Sequence, residues 1–234
     1  MDRTAIEKII EVSAPNIISE NGYTYSDKPL KIIKDPTVET MELSTLSSLV
    51  KLIRQEASQF TNPIIVHVTS HMTVSVRSGI AASDRSREIP YNVTAELPKF
   101  PFGSRITHEE MMIALKSKFI ETNELTDLVQ LLGTIVEENN MQIADDGFTQ
   151  SVTVRKGIAL KDNKAVNPIV KLTPYRTFLE VEQPECSFLI RLYDGGYVAL
   201  HEADGGAWKL KARKNIAEYL KKELADVEGV IVVE

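Results

Sequence analysis

Cysteine is almost missing from this chain: Cys186 is the only one in 234 residues. One thiol cannot close an intrachain disulfide and has no C-x-x-C partner for a zinc site, so a disulfide scaffold and a thiolate zinc knuckle are both excluded. A reducing cytoplasm is the compartment this suggests. Long apolar runs are also missing. No stretch approaches the roughly 18 to 20 apolar residues of a membrane span, and MDRTAIEKIIEVSAPN places charges where a secretory leader needs an unbroken apolar core. A soluble intracellular protein with no membrane partner is therefore expected. Excess positive charge is lacking too. With 33 Asp and Glu against 27 Lys and Arg the net charge is −6, which argues against a basic sheath for duplex binding and leaves room only for a local basic strip. No phosphate loop, GxSxG elbow, HExxH or dinucleotide fingerprint occurs.

What is present suits a well-cored globular protein, with 43% hydrophobic and 26% charged residues. A short string occurs twice, TVSVRSGIA at Thr73 to Ala81 and SVTVRKGIA at Ser151 to Ala159. At the same offset Asp84 pairs with Asp162, Pro90 with Pro168 and Phe100 with Phe178. With a one-residue slip, LSSLVKLI (Leu46 to Ile53) matches LTDLVQLL (Leu125 to Leu132). A helix followed by a strand thus recurs, and an internal duplication of a helix-plus-strand unit is expected.

In chain order, Ile6, Ile9 and Ile10 predict a short amphipathic helix that docks on the core or on a neighbouring subunit. Residues 16–36 read as an irregular segment with short strands around NG and DP punctuation. Leu46, Leu49, Val50, Ile53, Ala57 and Phe60 form a helical stripe, and the β-branched run after Pro63 predicts strands. Gly79 and Gly157 are expected at turns or bulges. Thr107 and Glu110 make a capping box for a second helical unit. Strands and tight DGG turns fill the stretch from Asn167 to Leu210, ahead of a final helix and a closing GVIVVE strand. The fold class expected is α+β with a largely antiparallel sheet. Its organisation is an N-terminal helix and arm (1–42), a first repeat (43–104) and a second repeat with added strands and a C-terminal helix (105–234), packed as one unit.

Several residues are candidates for chemistry. Glu180 and Glu182, read on one strand face, lie about 6.6 Å apart; joined by Asp194, Glu202 or Asp204 and by Lys209, they could hold one Mg²⁺ in a nuclease-like site. Glu-Val-Glu is equally what a solvated strand face looks like, and that reading is preferred. His67 and His71, about 13 Å apart on a strand, do not suit one metal ion. Cys186 reads as a buried structural thiol, with a nucleophile paired to His201 as the remote alternative. Arg77 and Arg155 occupy equivalent places in the repeat. They either face one anionic ligand or acidic partner together, or each pairs with a carboxylate of its own half. Tyr175 and Arg176, with Trp208, Lys209, Lys211, Arg213 and Lys214, form a cationic and aromatic edge of the kind that grips single-stranded nucleic acid; for Trp208 a core anchor is the preferred reading.

The strings DDGFTQSVTVRKGIA, NPIVKLTPYRTFLEVEQP and LHEADGGAWKLKARKNIAEYL, in that order, resemble the uncharacterised phage and prophage protein family typified by YfdQ. The resemblance covers about Phe100 to Leu220 and implies a phage or prophage origin, without catalytic residues to carry over. With no convergent catalytic set and no cofactor motif, the expectation is a non-enzymatic accessory protein of the host-cell cytoplasm. It would act as a homo-oligomer bound to another protein or to single-stranded nucleic acid, in host takeover, anti-defence, replication or recombination.

Overall fold

A computed structural model describes residues 2–29, 36–82, 85–136, 142–145, 150–156, 159–166, 168–193 and 195–234. The fold is α+β with mostly antiparallel strands. Two compact units divide the chain, Met1–Thr37 and Val38–Glu234.

The first unit holds helix α1 (Arg3–Ser13) and a hairpin of β1 (Ile17–Glu20) and β2 (Tyr23–Ser26). Asn21 and Gly22 turn the hairpin at φ 53° and 80°, the left-handed pair that a two-residue turn requires and that Asn-Gly supplies. Asn16 closes the open end, its backbone N–H and side-chain amide donating to the Asp27 carboxylate at 2.7 and 2.9 Å. The Lys28 ammonium donates to the carbonyls of Val12 and Ala14, where a cation suits the helix C-terminus. No side chain of α1 is buried, and both strands are exposed along their whole length.

The second unit is built on two main sheets. The first contains β3 (Met41–Leu43), β4 (Ile64–Val68), β5 (Thr73–Arg77), β6 (Tyr91–Thr94) and the last strand, β14 (Val230–Val233), in the order β14-β4-β5-β6-β3. Helix α2 (Leu46–Glu56) covers it, with Thr45 accepting from the Ser48 N–H as N-cap. The expected stripe of Leu46, Leu49, Val50 and Ile53 is buried against Val66, Val68, Val74, Val76 and Val93. The alternation of β4 and β5, with Ile64, Val66, Val68, Val74 and Val76 inward, follows from the period of two.

The second main sheet has the order β11-β12-β13-β7, from β7 (Ile106–Thr107), β11 (Ile169–Leu172), β12 (Cys186–Tyr193) and β13 (Tyr197–Glu202). Helices α3 (His108–Lys118) and α4 (Asn123–Val136) share its core through Met111, Leu115, Leu125, Leu128 and Leu132. The expected capping box is formed. The Glu110 N–H donates to Thr107 Oγ1 at 3.2 Å, and Glu110 Oε2 accepts from the Thr107 N–H at 3.0 Å.

Both main sheets carry a three-stranded antiparallel meander, and in both the strand that precedes the helices sits beside the last strand of the meander. That strand runs parallel in the first sheet (β3 on β6) and antiparallel in the second (β7 on β13). In this order β5 corresponds to β12. The repeated string places its second copy elsewhere, on β9 (Gln150–Lys156), the central strand of a separate three-stranded sheet with β8 (Gln142–Asp145) and β10 (Ala159–Val166).

The final helix, α5 (Trp208–Glu223), bridges the two cores: Trp208 and Ala212 belong to the second, while Ile216, Ala217 and Leu220 belong to the first. Strand β14 then pairs in parallel with β4. Gly79 does not mark a bulge. A β-carbon there would lie 2.3 Å from the Asn62 carbonyl oxygen, so the requirement is close backbone approach; Gly157 lies outside the described residues.

Candidate functional site

The chain between β11 and β12, residues 173–185, was expected to include a strand carrying Glu180 and Glu182 on one face. It is a loop, bracketed by Pro174 and Pro184 and folded around the buried side chain of Gln183. The Gln183 oxygen accepts from the N–H groups of Arg176 (2.9 Å) and Thr177 (3.1 Å), and its NH₂ faces the carbonyls of Thr177, Phe178 and Val181 at 2.9 to 3.3 Å. One amide thus satisfies backbone groups that a buried loop would otherwise strand. The loop is pinned from outside by Tyr175, whose N–H donates to Lys118 O at 3.0 Å. Thr177 Oγ1 donates to His71 O at 2.6 Å in the β4–β5 turn.

This loop delivers Arg176 to the junction of the two cores with only 7% of the residue exposed. Its guanidinium carbon lies 4.2 Å from the ring centre of Phe102, 4.5 Å from Trp208 and 4.9 Å from Phe188, within reach of a cation–π interaction with each. Nη1 stands 2.7 Å from Glu202 Oε1 as an ion pair without hydrogen-bond geometry, and Nε and Nη2 have no hydrogen-bond partner among the described residues. Glu202 Oε1 also accepts from the Trp208 indole N–H at 3.2 Å. The His71 ring meets Trp208 edge-on at 4.7 Å. Asp204 fixes the start of α5, accepting from the N–H groups of Gly206 (3.1 Å) and Trp208 (3.2 Å), where a carboxylate suits the helix N-terminus.

Burial sets the electrostatics. Desolvation lowers the pKa of Arg176, opposed chiefly by Glu202; the group stays charged because an arginine cannot be deprotonated in a protein. Desolvation, then Lys209 and Arg176, lower the pKa of His71, so the imidazole is held neutral. The Cys186 thiol is pushed up to about 11 by burial. A thiol in that state is a poor nucleophile, and Leu189 rather than Cys186 lies opposite His201 in the β12–β13 ladder.

The structure brings together five of the residues singled out in the sequence, Arg176, Glu202, Asp204, Trp208 and Lys209, the last with Nζ 5.8 Å from the indole centre. Arg176 does not form the expected edge, and Trp208 is the core anchor that was the preferred reading for it. Both are buried, so neither can stack on a base or reach a phosphate. Tyr175 is half-buried. Arg213 is half-buried with its Nε lacking a hydrogen-bond partner among the described residues. Arg77 is exposed at the end of β5 away from the β4–β5 turn. Arg155 is on β9, in a different sheet, and its side chain lies outside the described residues, as does Asp194.

Glu180 and Glu182 do not share a strand face. Glu180 Oε1 accepts from the Ser47 N–H at 3.2 Å in the first turn of α2, and Glu182 faces Lys211 at 3.7 Å. Among the described residues no three His, Cys, Asp or Glu side chains converge as a metal site.

Gln183, Phe102 and His71 went unassigned in the sequence. The two prolines at either end of 174–184 were the available signal for a loop, since proline interrupts a strand ladder. No family model, curated protein or solved structure matches the chain.

Proposed function

We propose that this chain is a non-enzymatic phage or prophage accessory protein that works in the host-cell cytoplasm by assembling with copies of itself and binding another macromolecule. The observation that carries the reading is the Met1–Thr37 unit, whose helix and hairpin hold their large apolar side chains in water. Such a surface costs free energy unless a partner covers it. The polar cluster at the core junction fits the same reading. Its arginine is committed to a carboxylate and three rings, and its thiol is protonated at neutral pH, so it acts as a joint between two cores. Host takeover and anti-defence are both uses of such a binding protein. Solution mass of the full chain at micromolar concentration tests the assembly. Oligomers are expected, and a strict monomer would sink it.

A second reading, a nucleic-acid-binding accessory of phage replication or recombination, is favoured by α5. That helix carries six Lys and Arg against two Glu in a chain of net charge −6, and Lys209, Lys211, Lys214, Lys221 and Lys222 are all exposed on it. With the aromatic edge buried, such binding would rest on phosphate contacts alone. Labelled single strands should then bind with an affinity that falls with salt at a log–log slope of about −3, the release expected for four or five lysines. Absence of binding at about 50 mM salt would remove this reading.

A further inference from the structure

Three isoleucines, Ile6, Ile9 and Ile10, form the stripe of α1 and are 43 to 62% exposed. On the neighbouring hairpin the antiparallel register pairs Ile18 with Tyr25 and Glu20 with Tyr23. Ile18, Tyr23 and Tyr25 therefore share one face with Glu20, and the three apolar side chains are more than half exposed. A two-stranded hairpin and one short helix without a buried side chain do not hold themselves together in water.

We propose that the Met1–Thr37 unit pairs with the same unit of a second copy of this chain, about a two-fold axis that covers both apolar faces. The inference rests on the self-assembly reading above and names its surface. Area supports it. The six side chains leave on the order of 100 Å² each in water, or about 1,200 Å² over two copies, the lower end of the range for a specific interface.

Charge selects the occupant. On α1, Arg3 pairs with Glu7 at 3.0 Å and Lys8 with Glu11 at 2.8 Å, so the polar flanks are neutralised within the helix. An anionic lipid surface recruits helices whose polar face is rich in Lys and Arg, and an acidic or basic partner would need an excess of the opposite sign. A copy of the same neutral-flanked apolar surface needs neither, and a two-fold axis makes the patch complementary to itself.

The test uses the full chain. Sedimentation equilibrium of the wild type is compared with Ile6→Asp/Ile9→Asp/Ile10→Asp, and circular dichroism checks the body of the protein. Because α1 buries nothing, the variant keeps the fold of Val38–Glu234. A single Ile9→Cys variant treated with a bismaleimide gives a second readout, since Cys186 is buried and does not compete. The inference expects a wild-type dimer, a dissociation constant raised at least about 100-fold in the triple variant, and a cross-linked dimer with Ile9→Cys only. A wild-type oligomer that persists unchanged in the triple variant overturns this surface and leaves assembly through another. A wild-type monomer overturns both readings, and if that monomer floats with phosphatidylserine vesicles, a lipid surface is the occupant instead.

Discussion

The guanidinium of Arg176 and the indole of Trp208 lie 4.5 Å apart, and both address one oxygen of Glu202. The two residues stand in the loop before β12 and at the start of α5, so the contact fastens the β11–β12 loop to the helix that bridges the cores. Arg176→Ala removes the cation from three ring faces and from its carboxylate, and is expected to cost about 3 kcal/mol. Arg176→Lys keeps the charge without the flat guanidinium and should recover less than half of that. Urea denaturation of both variants measures the difference.

Gln183 is expected to be as sensitive as the arginine. Gln183→Leu has nearly the same size but strands two N–H groups and three carbonyls inside the loop, at a cost of about 3 kcal/mol. Hydrogen exchange should then rise at Arg176 and Thr177, whose amides it now holds, and stay unchanged in β4 and β5.

His71 makes stability depend on pH. Its pKa is depressed in the folded protein by burial, with Lys209 and Arg176 adding to the effect, so the unfolded chain binds the proton more readily. The neutral ring's contribution is full above the unfolded value of about 6.5 and is lost as pH falls through that value toward the folded one. Thermal midpoints between pH 7.5 and 5.5 should fall less steeply in His71→Asn than in the wild type.

Two glycines separate space from backbone conformation. Gly79→Ala drives a methyl group against the Asn62 carbonyl and should cost about 2 kcal/mol or more. Gly205 has φ 62° and nothing within 4 Å of an added β-carbon, so Gly205→Ala should cost about 1 kcal/mol through backbone strain alone. Chemical denaturation ranks them.

Glu180 and Glu182 are expected to behave unequally. Glu180→Ala loses the acceptor at the first turn of α2 and should destabilise by about 1 kcal/mol. Glu182→Ala loses an exposed pair with Lys211 and should change stability by less than about 0.5 kcal/mol. A shared Mg²⁺ would instead make the two variants alike and make the wild-type melting point rise with added magnesium.

Local patterns told much of this fold in advance. The stripe of α2, the capping box of α3 and the inward valines of β5 follow from period and spacing, which the backbone imposes wherever one face is buried. The site was less legible, because its members come from distant segments. Arg176 looked like an edge cation since a charged side chain is ordinarily solvated, and only the convergence of Glu202 with Phe102, Phe188 and Trp208 makes its burial tolerable. The run TFLEVE imitates a half-buried strand in its alternation, and Gln183, the residue right after the second glutamate, is what bends it into a loop. Nor does the twice-occurring string announce which sheet each copy joins, since strand pairing is settled by partners far along the chain.

The pairing of β14 with β4 has a consequence for the chain while it is being made. Ile64 of β4 meets Val230 of β14, so at about 5 to 20 residues per second the ribosome needs on the order of 10 to 30 s to supply the missing neighbour. Until then β4 is an open edge in a half-finished sheet, and the inner side of α2 lacks the α5 residues that complete its core. For that interval the nascent protein offers any passing strand a template, and β14 retires it once it emerges.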